Sequence, residues 1–92
     1  MAKHSCYRLK ISGKVQGVWY RKSTQVQAQA LGLTGWVQNE PDGSVTCVVE
    51  GPEADVEALV KWCHQGPPNA KVSRVNKEFA APTGATSFEV RR

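Results

Sequence analysis

The chain reads as an α+β domain, a split β-α-β-β-α-β sandwich with two helices on one face of an antiparallel sheet, and three observations point there. Segments of two-residue alternation flank two segments of helical character. Clusters containing Gly and Pro separate them. Finally, 92 residues hold too little apolar surface for two cores, so residues 1–92 are expected to form one domain.

Taken in order, Tyr7, Leu9 and Ile11 alternate with Arg8, Lys10 and Ser12, the period of a half-buried strand that ends at Gly13. After the loop Gly13 to Tyr20, residues 21–31 contain neither Gly nor Pro, carry Ala28, Ala30 and Leu31, and meet Gly32 as a C-terminal stop. That pattern predicts a first helix. Thr34 to Asn39 is short, β-branched and aromatic, Pro41-Asp42-Gly43 is turn chemistry, and Ser44 to Glu50 completes a hairpin. Beyond Gly51-Pro52, Val56, Leu59, Val60 and Cys63 stand at i, i+3, i+4 and i+7, the stripe of an amphipathic helix that Gly66-Pro67-Pro68 terminates. Val72 to Phe79 and a short extra strand, Ser87 to Val90, close the chain, with the turn-rich Ala81-Pro82-Thr83-Gly84 between them.

Composition narrows the function classes. The chain is 40% hydrophobic, with charges of both signs spread along it, as in a soluble globular domain. Its net charge of +4 favours anionic partners, but the basic residues are scattered and select none. Apolar runs are short and Met1 to Ser5 lacks a leader's apolar stretch, so a cytoplasmic protein without a membrane segment is expected. Cys6, Cys47 and Cys63 form no C-x-x-C pair and are read as buried free thiols, although a Cys6 to Cys47 contact is conceivable if their strands are neighbours. Glu40, Asp42, Glu50 and Glu53 show no metal or glycosidase spacing and read as turn or solvated residues, so no metal or cofactor is expected. His4 is placed in a frayed N-terminus and His64 in the last turn of the second helix, neither with a catalytic role.

Two clusters carry candidate chemistry. Gly13-Lys14-Val15-Gln16-Gly17-Val18-Trp19-Tyr20-Arg21 joins a strand end to a helix start. Helix N-termini present unsatisfied N–H groups and a positive dipole end, glycines let successive amides converge, and Arg21 adds a charged fork suited to two phosphoryl oxygens. Considered alone, the loop is read at least as well as a glycine-shaped connection with a solvated arginine. The second cluster runs from Gly35 to Gly43 and includes Trp36 and Asn39; alone, it is a hairpin with Asn39 as an ordinary turn former. Ser23 and Thr24 are read as helix-bonding residues, and Trp36 and Trp62 as packed against sheet or helix.

Together the clusters resemble both motifs of the acylphosphatase family. The first is similar to its G-x-V-Q-G-V-x-F-R stretch, and Gly35-Trp36-Val37-Gln38-Asn39-Glu40-Pro41-Asp42-Gly43-Ser44-Val45 to its G-aromatic-V-x-N-x-x-x-G-x-V stretch, with Gly51 following. The one departure is Tyr20 in place of Phe, whose phenolic hydroxyl requires a polar partner or a route to solvent. The resemblance extends to Phe88-Glu89-Val90-Arg91 and implies the same ferredoxin-like sandwich. It further implies an enzyme that hydrolyses acyl phosphates, with phosphoryl binding by Arg21 and the amides of Val15, Gln16, Gly17, Val18, Trp19 and Tyr20, and an attacking water held by Asn39.

The chemistry is self-consistent. The carboxylate leaving group has a conjugate acid of pKa about 4 and needs no general acid. Positioning and charge stabilisation then suffice for phosphoryl transfer. A small-molecule acyl phosphate is the expected substrate, inorganic phosphate or sulfate the expected site ligand, and a monomer the expected state. Two rivals stand beside this reading: a non-catalytic anion-binding module, which would have no use for Asn39, and a nucleic-acid-binding module, for which Ser44 to Glu50 lacks the stacking aromatics.

Overall fold

The computed structural model describes residues 3–91. Met1 and Ala2, on which part of the leader reading rests, lie outside the described residues, as does Arg92. The elements are β1 (His4–Lys14), α1 (Tyr20–Ala30), β2 (Thr34–Asn39), β3 (Val45–Pro52), α2 (Glu53–Cys63), β4 (Lys71–Phe79) and β5 (Phe88–Arg91). They build one five-stranded sheet in the order β4-β1-β3-β2-β5.

Alternation settles which face each strand buries. Tyr7, Leu9 and Ile11 of β1 and Val45, Cys47 and Val49 of β3 point into the core, where Ala28 of α1 and Val56, Leu59 and Cys63 of α2 meet them. Arg8 and Lys10 point the other way and are exposed. Each fully buried Leu or Val stabilises by roughly 2 kcal/mol on transfer grounds. The α2 stripe is the one its spacing predicts, with Glu53 and Asp55 in the first turn and Lys61 in the last, matching the helix dipole at both ends.

Four strands pair antiparallel, as expected. The fifth differs: β5 pairs parallel with β2, so the sheet is mixed. The reason is the route of the chain. β4 and β5 occupy opposite edges, so residues 80–87 cross the whole sheet as a strap before β5 can pair. β1 is also longer than its alternation suggested, beginning at His4 and passing a bulge between Ser12 and Gly13. A Cβ on Gly13, at φ 120°, would strike the Lys71 carbonyl, which makes glycine the residue for this close approach.

Strand register gives the sheet two distinct ends. His4, Glu50 and Thr34 mark the strap end, whereas Lys14, Val45 and Asn39 mark the other. At the strap end His4 is an ordered strand residue, not a frayed one, and its Nε2 lies 3.0 Å from Glu50 Oε2. Glu50 is buried rather than solvated, and its Oε1 accepts from the Thr83 N–H at 3.0 Å and the Thr83 hydroxyl at 3.3 Å. The strap crosses the sheet at this anchor.

All three cysteines are free and buried. Cys6 pairs in register with Glu50 and Cys47 with Leu9, which puts the two thiols on opposite faces of the sheet and rules out the conceivable contact between them. Burial pushes the Cys47 thiol well up and the Cys63 thiol up to about 12. Among the described residues no helix is long and apolar enough to cross a membrane.

Candidate functional site

At the end of the sheet away from the strap, the β1–α1 loop, the first turn of α1 and the ends of β2 and β5 enclose a cleft of about 520 Å³. Val15, Gly17, Trp19, Tyr20 and Arg21 line it from the first motif, and Asn39 lines it from the second. Residues separated along the chain thus converge because β1 and β2 both run from the strap end to this one.

The loop holds its form for identifiable reasons. Val15 and Val18 are buried in the core and anchor it from below. Gly17 takes φ 73°, a conformation that suits a residue without Cβ. Gln16 turns away from the cleft: its Nε2 donates to the carbonyls of Glu40, at 2.8 Å, and Ser44, at 2.9 Å, tying the loop to the β2–β3 hairpin. One motif is therefore pinned to the other. The side chains of Gln16 and Val18 are absent from the cleft lining and anchor the loop.

Tyr20 resolves the departure at its position. Its ring is buried and its hydroxyl donates to the Cys63 carbonyl at 2.7 Å, one of the carbonyls that the end of α2 leaves unpaired. Burial, before the influence of Cys63, pushes the phenol well above its ordinary range, so it remains a neutral donor. Thr24 is buried and its hydroxyl bonds back to the Tyr20 carbonyl at 2.8 Å, the helix-bonding part expected of it.

No side chain caps the start of α1 and its first turn contains no acidic residue. The first-turn N–H groups and the positive dipole end are left available to an anion. Arg21 projects from this turn, and Nη1 donates to the Arg91 carbonyl of β5 at 2.8 Å, its one hydrogen bond among the described residues. The remaining guanidinium donors have no hydrogen-bond partner among the described residues. Arg91 is steadied in turn, its guanidinium carbon lying 4.5 Å from the centre of the Trp36 ring. Asn39, the last residue of β2, buries Oδ1 with no hydrogen-bond partner among the described residues, an unusual state for a polar atom.

Two lining residues escape the sequence reading, Lys22 and Val90. Lys22 follows Arg21 on the same helical turn, a signal available from adjacency, and its amine contacts Gln25 Oε1 at 3.2 Å. Val90 reaches the cleft only because β5 pairs with β2, which no local pattern announces. Among the described residues no three His, Cys, Asp or Glu side chains gather as a metal site would require.

Comparisons with known proteins point to one family. The sequence profile of the Acylphosphatase family matches residues 7–90. An acylphosphatase from Haloarcula marismortui is 49% identical over 88 residues, covering 96% of this chain and 97% of the relative. Among solved structures, an acylphosphatase from Coxiella burnetii superposes with a TM-score of 0.92 at 41% identity, covering 96% of this chain and 93% of the other. The acylphosphatase from Bacillus subtilis gives the same TM-score, 0.92, at 32% identity, with 98% and 100% covered.

Proposed function

The chain belongs to the acylphosphatase family, and from that premise we propose that it hydrolyses the carboxyl-phosphate bond of acyl phosphates with Arg21 and Asn39 as its catalytic residues. The observation that carries this assignment is the meeting of Arg21 and Asn39, from two separate motifs, in one cleft where Asn39 Oδ1 is buried and unpartnered.

Arg21 and the amides of the 15–20 loop bind the phosphoryl dianion. Asn39 holds a water by hydrogen bonding through its carboxamide and directs the water's oxygen at phosphorus. As the water oxygen bonds to phosphorus, the bond from phosphorus to the acyl oxygen breaks and the electron pair leaves on the carboxylate. An amide cannot act as a base, so a phosphoryl oxygen accepts one of the water's protons while the other stays on the oxygen now bonded to phosphorus. Because the leaving carboxylate is a weak base, no general acid is needed. Binding and charge stabilisation supply the rate. The same reading has the protein act as a cytoplasmic monomer without metal, with inorganic phosphate as product and site ligand.

Hydrolysis of benzoyl phosphate without added metal tests the assignment, and a rate no higher than the spontaneous one overturns it. A pH–rate profile that requires an enzyme base near neutrality would overturn the proton route alone.

A further inference from the structure

Two of the three tryptophans have partners within the chain. The Trp62 ring lies 5.8 Å from that of Tyr20, and Trp36 lies under the Arg91 guanidinium. Trp19 has no aromatic or cationic partner among the described residues, although it is 78% exposed and stands on the wall of the cleft. Its backbone is unusual as well. At φ 65° it is the one non-glycine residue with positive φ among those described. Left-handed backbone costs a residue with a Cβ roughly 1–2 kcal/mol. Leaving an indole in water forgoes the burial that usually accounts for so large a side chain. Among the described residues no aromatic or cationic partner offsets either cost.

The cleft has room for more than the anion. Its 520 Å³ falls within the range of about 300–1,000 Å³ that holds whole small molecules. In an acyl phosphate the acyl group is joined to phosphorus through a single oxygen, so it must begin beside the phosphoryl site. Trp19 is two residues from Arg21 and lines the same cleft, as does the apolar Val90.

We propose that Trp19 forms an acyl-group subsite: its indole stacks on the carboxyl side of the bound substrate and selects flat, apolar acyl groups, aromatic ones above all. The proposal rests on the phosphoryl-binding reading of the cleft and names the substrate class that reading leaves open. Trp19 acts here as a specificity residue through its side chain.

The test compares benzoylphosphonate with acetylphosphonate, two non-hydrolysable analogues, by calorimetry on the wild-type protein and on Trp19→Ala and Trp19→Phe. The wild type is expected to favour the benzoyl compound, Trp19→Ala to reduce the ratio of the two affinities about fivefold, and Trp19→Phe to restore most of it. An unchanged ratio in Trp19→Ala, no preference in the wild type, or failure to bind either phosphonate overturns the subsite. Hydrolysis is read separately with benzoyl phosphate. A Trp19-dependent preference without hydrolysis would sustain the subsite and sink the catalytic assignment, whereas hydrolysis without preference would do the reverse.

Discussion

The two ends of the sheet treat their polar groups in opposite ways. At the strap end, Glu50 is buried and both carboxylate oxygens are engaged, one by His4 and the other by the N–H and hydroxyl of Thr83. At the cleft end, Asn39 Oδ1 is buried with no partner, Arg21 commits one nitrogen to a carbonyl, and no side chain caps α1. A satisfied polar cluster returns its desolvation cost as stability; an unsatisfied one retains it until something binds. The contrast sets a satisfied structural station against the proposed functional one on the same sheet.

If that division holds, substitutions at the cleft should affect activity and those at the strap should affect stability. The largest effect is expected from Arg21→Ala, which removes charge felt by the phosphoryl group in both ground and transition states. Steady-state kinetics should show kcat/KM reduced about 10³-fold, with inorganic phosphate inhibiting far more weakly. Asn39→Ala should follow, with kcat reduced about 10²-fold and phosphate inhibition nearly intact. Thermal unfolding should leave Asn39→Ala as stable as the wild type or more so, because an orphaned polar atom is removed. A large fall in melting temperature with normal kcat would move Asn39 to the structural side of the comparison.

Glu50 provides the reciprocal case. Its carboxyl is held below the ordinary value of 4.5, first by the hydrogen bond from His4 and then by the Thr83 N–H, with burial opposing both. A carboxyl with a depressed folded pKa adds stability that is complete above its unfolded pKa and is lost as pH falls through the folded one. Glu50→Gln should therefore cost about 1–2 kcal/mol at neutral pH, and the difference from wild type should shrink on acidification below 4.5. Denaturant melts at a series of pH values would show it. A change in kcat at neutral pH with no loss of stability would break the division between the two ends.

The sequence revealed the local elements and missed the long-range ones. Two-residue alternation at Tyr7, Leu9 and Ile11 and the stripe at Val56, Leu59, Val60 and Cys63 report directly on which side chains face the core. Arg21 and Asn39 were legible as a pair only through the resemblance, since each alone has an ordinary reading. Glu50 read as solvated because its burial depends on Thr83, 33 residues away, arriving over it. For the same reason His4 read as frayed, and the parallel pairing of β5, which brings Val90 to the cleft, left no local mark. Periodicity encodes burial within an element but not which distant segment supplies a partner.

The smallest effect expected is at Tyr20, which lies between the two regimes: it lines the cleft, yet its hydroxyl is satisfied. That hydroxyl joins the start of α1 to the end of α2 and supplies a donor to the Cys63 carbonyl, so Tyr20→Phe deletes one buried hydrogen bond and leaves a carbonyl without it. The expected loss is about 1 kcal/mol by chemical denaturation, offset in part because the ring stays packed against Trp62. A loss well above 2 kcal/mol would mean that the bond fixes the relative placement of the two helices, making the satisfied group at the cleft a structural anchor as consequential as Glu50 is at the strap.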